Sequence, residues 1–312
     1  MLSPADLQEE ARFRSIFQRI HAQHPNCLRD EWVREPCRLQ GDRVVDRPSV
    51  WSRRNGPWRP AETLWIGAAP GNAGGKGRGQ LGAHGTRIPF GGDIAGGNLD
   101  VMLGSIGLDR NHTFIAASLN HLPAAGGGEP TVRELTAPIG DYPSSLHVVR
   151  DTIVAVQPKL LIALGNVALR VVFAATRLEQ ISGKLPSLKQ LQKLGLERNE
   201  APAWPVEWPP DGSFLEAWNQ ASANAPLPHV LWLIHPSAQN MSPYAGRETM
   251  FHVRMREAVA ALGNAARTVL NWNIPNHRSE PPAGGIYALS EWRELVAPRH
   301  HELSRLWQEK GI

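Results

Sequence analysis

Residues 146–165 read LHVVRDTIVAVQPKLLIALG, and this stretch decides the fold. Leu146, Val149, Ile153 and Val156 recur at helical spacing, whereas Leu160–Gly165 is an unbroken apolar run of strand length, the pattern of a strand covered on both faces. Three other runs share that character: Thr63–Gly67 (TLWIG), Thr113–Ser118 (TFIAAS) and Val230–Ile234 (VLWLI). Leu99, Met102, Leu103 and Ile106 repeat at helical spacing ahead of the second of these. Strand alternates with helix, which predicts an α/β fold with a mostly parallel sheet.

Each predicted strand runs into a small, polar or glycine-bearing loop: GAAPGN, LNHLP, GNVA and HPSAQN, in chain order. In open parallel sheets ligands bind beyond the carboxyl ends of the strands, so four chemically loaded loops would share one edge. The opposite edge receives ordinary connections such as 108–112 and 156–159. Turns collect Gly, Pro, Asn and Ser for backbone reasons alone, so the loops count only for what their side chains can do.

Outward from that core, residues 1–60 hold one amphipathic helix and an arm with Trp32, Trp51, Trp58 and several arginines. Residues 61–270 form the main domain, interrupted at 177–229 by a long insertion with Pro202, Trp204, Pro205, Trp208, Pro209 and Pro210. A structureless loop of that length is uncommon, so short helices such as Ser187–Leu194 are expected to pack over the core. Residues 271–312 extend the domain with a helix at 290–308.

The chain has 312 residues, 42% hydrophobic and 20% charged. That apolar share excludes a disordered chain. No apolar run reaches the roughly 18–20 residues of a membrane span, and Met1–Arg14 lacks a signal peptide's apolar centre. A soluble, cytoplasmic protein without a membrane partner is expected. Thirty-three basic against 29 acidic residues give a net charge of +4, which permits a polyanionic partner without requiring one. The sequence does not set an oligomeric state.

Several motifs fail. Gly71 and Gly75 are one residue too close for a phosphate loop ending in Lys76, and Gly77 replaces its Ser or Thr. Gly77, Gly79 and Gly82 match a dinucleotide fingerprint but open no helix, so no nucleotide cofactor is expected. The histidines lack ligand spacing, and Cys27 and Cys37 are the only cysteines, so no metal and no other cofactor is expected.

The loops taken together resemble the uracil-DNA glycosylase superfamily, most closely its family 5 (type b). The resemblance rests on Gly67-Ala68-Ala69-Pro70-Gly71, Pro89-Phe90-Gly91-Gly92-Asp93 with the glycine pair and Leu99 helix beyond, Asn120, Leu164-Gly165, and His235-Pro236-Ser237-Ala238-Gln239-Asn240 with Gly246-Arg247. It covers about 62–172 and 229–262. It implies a three-layer α/β/α fold around a central four-stranded, mostly parallel sheet, and DNA as the partner.

The resemblance also assigns roles. Residues 68–71 would line the base pocket, Phe90 would stack on a flipped base, and Asn120 would read a pyrimidine edge. A lone Phe serves equally in a core, and Asn equally as a turn cap. His235 would face the negative charge that develops on the leaving base. Where the superfamily commonly carries Asp or Asn before the first-loop proline, this chain has Ala69, as in family 5. That branch nominates Asp93 to orient water and stabilise a cationic sugar, although a glycine-flanked Asp also caps helices. Ser237, Asn240 and Arg247 would hold flanking phosphates, with Lys76, Arg78 and Arg87 as further candidates, and Met241 or Tyr244 would wedge into the vacated stack.

Relatives of families 4 and 5 typically hold an iron–sulfur cluster on four cysteines. Two cysteines imply that the cluster is absent here. The lysine- and arginine-rich insertion of covalently trapping relatives is missing after Asn120. The activity implied is a monofunctional DNA glycosylase that hydrolyses the N-glycosidic bond of a flipped pyrimidine, uracil or a modified base, to leave an abasic site. Two alternatives stand beside it. One is an antiviral defence enzyme that excises a bulky base such as glucosylated hydroxymethylcytosine, its pocket reshaped by the 177–229 insertion. The other is a non-catalytic nucleic-acid binding module on the same fold.

Overall fold

The computed structural model describes residues 19, 37–39, 43–45, 62–69, 90, 94–108, 113–119, 123, 129–181, 184–200, 202, 204–222, 225–237 and 248–272. The helices expected near the N-terminus and at 290–308 lie outside these residues, apart from Arg19, which is helical.

Two three-residue strands, β1 (Cys37–Leu39) and β2 (Arg43–Val45), pair antiparallel. They fall where an irregular arm was expected. The signal lay in Gln40-Gly41-Asp42, a three-residue connection containing glycine between short runs, and so few residues show no periodicity.

The central sheet follows the sequence closely. Its strands are β3 (Thr63–Gly67), β4 (Phe114–Ala117), β5 (Leu160–Leu164) and β6 (His229–Leu233), in the spatial order β4-β3-β5-β6. All three pairings are parallel, in registers such as Ile66 with Ala116, Trp65 with Ile162 and Ile162 with Leu231. Both faces are covered, and alternate residues of each strand go to opposite sides. Leu64, Ile66, Phe114, Leu161, Val230 and Trp232 join one apolar cluster, and Trp65, Ile115, Ile162, Leu231 and Leu233 join the other. The architecture is therefore three-layer α/β/α.

On the second face lie α1 (Ile94–Ser105) and, after β6, α7 (Glu248–Thr268). Helix α1 starts earlier than its apolar periodicity suggests and takes Gly96 and Gly97 into its first turns. Glycine weakens a helix without forbidding it. On the first face, α2 (Val132–Thr136) is closed by a capping box of Thr131 and Glu134 and leads to α3 (Ser145–Val156) and, beyond β5, α4 (Asn166–Ala175). Arg19 docks at the start of α3: its guanidinium lies 3.8 Å over the Tyr142 ring and 3.3 Å from Asp151.

The 177–229 stretch belongs to the body of the protein. It carries α5 (Leu188–Lys193), capped by Ser187 and Gln190, and α6 (Gly212–Ser222). Leu185, Leu191, Leu196, Phe214 and Trp218 are buried in the first cluster, and Trp204 packs on Phe173 at 5.1 Å between ring centroids. Each such side chain contributes about 1.5–3 kcal/mol by leaving water. Removal of the stretch would thus strip cover from α3 and α4.

Asp211 ties this stretch down. Almost wholly buried, it precedes α6 and accepts from the Phe214 amide at 2.8 Å, the Ser213 hydroxyl at 2.9 Å and the Glu179 amide at 3.0 Å. Burial pushes its carboxyl up, but these donors, with the Arg150 guanidinium, outweigh burial and hold it below the ordinary carboxylate value. We predict that Asp211→Ala lowers unfolding free energy in urea by about 1–2 kcal/mol. Because the folded value is depressed, the advantage of wild type over Asp211→Asn is full above the unfolded carboxyl's pKa of about 4 and fades as pH falls through the lower native value. An advantage that grows on acidification would contradict this.

Candidate active site

The chain topology creates a crevice. β3 connects through α1 to β4 on one side, whereas β5 connects onward to β6 on the other, so connections diverge between β3 and β5. In open parallel sheets the carboxyl ends at such a point form the ligand site. Glycine stands at both ends here, Gly67 closing β3 and Gly165 following β5.

Both glycines have a steric reason. A β-carbon on Gly67 would sit 2.7 Å from Phe90 Cζ, so the ring occupies the space a side chain would fill. A β-carbon on Gly165 would sit 3.0 Å from His235 Cβ, and Gly165 itself has φ +90° and ψ 177°, a conformation essentially confined to glycine. The two rings that use these gaps meet: Phe90 and His235 lie 5.7 Å apart between centroids, tilted by 42°. Phe90 holds φ +54°, a left-handed conformation uncommon for a bulky residue.

His235 is half-buried and chemically defined by its neighbour. The Ser237 amide donates to its Nδ1 at 3.1 Å. An amide N–H can only donate, so Nδ1 is an acceptor and the proton of the neutral ring sits on Nε2. The turn that follows is anchored by Asn98, a fully buried side chain of α1 whose Nδ2 donates to the Pro236 carbonyl at 2.9 Å.

The adjoining strand ends are tied together as well. The Ser118 amide and hydroxyl both donate to the Gly67 carbonyl, at 2.8 and 2.9 Å, and the Leu119 amide donates to the Ala68 carbonyl at 3.0 Å. Ala68 and Ala69 are half-buried and pack against the first core cluster.

The structure thus brings Phe90 and His235 together, with Ser237 beside the imidazole and Ala68 and Ala69 leaving the neighbouring strand end. Pro70, Gly71, Asp93, Asn120, Asn240, Met241 and Arg247 lie outside the described residues, as do Lys76, Arg78, Arg87 and Tyr244. Among the described residues, no three His, Cys, Asp or Glu side chains converge as metal ligands. No helix among them is long and apolar enough to cross a membrane. Sequence reasoning missed Asn98, whose one signal is a polar residue inside an otherwise apolar helical face.

The family model of the uracil DNA glycosylase superfamily matches residues 57–259. The chain belongs to that superfamily. Its members are in general DNA glycosylases, which act on DNA. No curated protein matches the chain in sequence.

Gly165 supplies a test of the geometry. We predict that Gly165→Ala costs about 1–3 kcal/mol of stability, because alanine must hold a glycine conformation while its methyl presses on His235. Urea unfolding reads the cost; a neutral substitution would mean that the backbone relaxes freely there.

Proposed function

We propose that the protein is a metal-independent, monofunctional DNA glycosylase that hydrolyses the N-glycosidic bond of a flipped pyrimidine and leaves an abasic site. The observation that carries this reading is the pair of rings at the topological switch point, Phe90 over Gly67 and His235 against Gly165, with the imidazole proton on Nε2.

A base can reach such a crevice only by leaving the helical stack. Phe90 gives it an aromatic face. As the C1′–N1 bond breaks, its electron pair passes to the base, and His235 Nε2–H donates a hydrogen bond to the oxygen where that charge gathers. The sugar becomes an oxocarbenium-like cation. Asp93 is assigned to stabilise this charge and to orient the water whose oxygen adds to C1′, and the proton that the water loses passes to bulk solvent as the new bond forms. Asn120 reads the pyrimidine edge, residues 68–71 line the pocket, and Ser237, Asn240 and Arg247 hold the phosphates on either side. Met241 fills the gap in the stack.

Within the superfamily we place the chain nearest family 5, because Ala69 stands where other branches carry Asp or Asn and Asp93 is free to take over that work. Two cysteines fall short of the four on which relatives hold an iron–sulfur cluster, and no cofactor enters the reaction. No lysine stands in a motif position as an amine nucleophile, so base release is not coupled to strand cleavage.

The test is a gel assay of abasic-site formation by purified protein on duplexes with uracil, hypoxanthine or 5-hydroxymethylcytosine and on genomic DNA carrying glucosylated hydroxymethylcytosine. We expect release of at least one of the pyrimidines, with breaks appearing only after heat or alkali; release of hypoxanthine alone, a purine, would overturn the pyrimidine assignment. Asp93→Asn and His235→Ala should each slow single-turnover release by about 100-fold or more while DNA affinity stays within about threefold. No release from any substrate, or unchanged rates in both variants, would overturn the reading.

A further inference from the structure

We infer that His235 is aimed by a clamp of two asparagines outside the motif, Asn98 from α1 and Asn199 from the 177–229 stretch, which fix the backbone on either side of it. Both are positioning residues for base release, and this rests on the role of His235 proposed above.

The clamp follows from the hydrogen-bond pattern at the end of β6. In a strand, the carbonyl of one residue and the amide of the residue two further on point to the same side. The Leu233 carbonyl points inward and accepts from the Gly165 amide at 2.9 Å. Trp232 and Ile234 therefore present their groups to the outer edge of β6, where no fifth strand stands among the described residues. Asn199 takes that strand's place with one residue. Its main-chain N–H donates to the Trp232 carbonyl at 2.8 Å, and its side-chain Oδ1 accepts from the Ile234 amide in a longer bond of 3.4 Å.

Two further features make Asn199 suited to this. Its φ is +59°, a left-handed conformation that asparagine adopts more readily than most residues. Its Nδ2 reaches Glu257 Oε2 of α7 at 3.4 Å, which orients the amide so that oxygen faces Ile234. The adjoining Arg198 lies 4.9 Å over the Trp232 ring and donates to Asn166 Oδ1 at 3.0 Å, so this segment is seated against both β6 and the start of α4.

Asn98 acts on the other side. It is fully buried in α1 and donates to the Pro236 carbonyl at 2.9 Å across 138 residues of sequence. An apolar residue at position 98 would pack equally well in the core and leave that carbonyl without this donor. Ile234 and Pro236 flank His235, so the two asparagines hold the 233–234 and 236–237 peptide units, one on each side, and between them bracket the short stretch of backbone that carries the imidazole. A sub-ångström requirement on a catalytic donor is the circumstance in which such supports matter.

The experiment is a double-mutant cycle in single-turnover base release, using a uracil oligonucleotide and, as second substrate, genomic DNA carrying glucosylated hydroxymethylcytosine. In the otherwise wild-type protein, Asn98→Ala is expected to slow release by about tenfold, with affinity for an abasic-site oligonucleotide within about threefold. In a His235→Ala background the same change should alter the residual rate by less than about twofold, because there is no imidazole left to aim. Asn199→Gly, which keeps the left-handed backbone and removes only the side chain, should slow release by about threefold, and Asn199→Asp made together with Glu257→Gln, which restores the Oδ1 acceptor without setting two carboxylates side by side, should recover most of it. Equal losses with and without His235, no loss, or failure of Asp to recover the Gly defect would overturn the clamp. If Asn98→Ala fails to bind DNA, Asn98→Ser and the Asn199 pair decide the matter. A wild-type protein inactive on both substrates, or a His235→Ala variant as fast as wild type, would instead overturn the glycosylase reading.

Discussion

The contact between His235 and Gly165 governs the rest of the site. A β-carbon at position 165 would meet the His235 β-carbon at 3.0 Å, and the backbone there turns through a conformation that side chains resist. This turn ends β5, starts α4 and lets the residue after the β6 end settle against its neighbour. Gly67 does the same for Phe90 one strand over. Two rings from segments 145 positions apart thus reach the same crevice because two adjacent strands stop without side chains. The sheet supplies rigidity, the glycines supply room, and the rings occupy it.

Most of the sheet was legible from residue type because its strands are covered on both faces. A run such as Leu160–Leu164 has no polar residue to turn toward water, and its edges fall within a residue of those observed. Helix α1 was legible only from Leu99 onward, since the glycines before it carry no periodic signal. The β1–β2 pair was too short to show a pattern. For the site, the motif order singled out His235 and Phe90, yet no periodicity said that they touch. That depends on the order of β3, β5 and β6 in space. Asn98 showed only as a polar residue on an apolar helical face and Asn199 not at all, for a further reason: each bonds a main-chain group, and main-chain partners leave no residue pattern to match.

The 177–229 stretch illustrates how an insertion's length misleads. The short helices expected to pack over the core are there, and the tryptophans join them: Trp204 and Trp208 pack around Phe173, and Phe214 and Trp218 are buried against the first cluster, so length alone does not make the stretch a cover for the pocket. The same stretch covers the exposed edge of β6, which would otherwise offer unpaired amides and carbonyls to another chain. Stabilising the domain and shaping the site are then one act, because the segment that closes the edge is also the segment that holds Ile234.

This coupling bears on how substrate range can change in such a fold. Three contacts involving main-chain groups bear on the His235 backbone and tautomer: the Ser237 amide on Nδ1, Asn98 on Pro236 and Asn199 on Ile234. None of these contacts is made by the residues assigned to the base-lining loops. On the proposed reading, side chains in those loops can be exchanged for others that admit a larger or smaller base while these three contacts hold His235 where it is. The glycosylase proposed above would in this way separate the choice of base from the means of releasing it, with the first carried by loops and the second by the sheet.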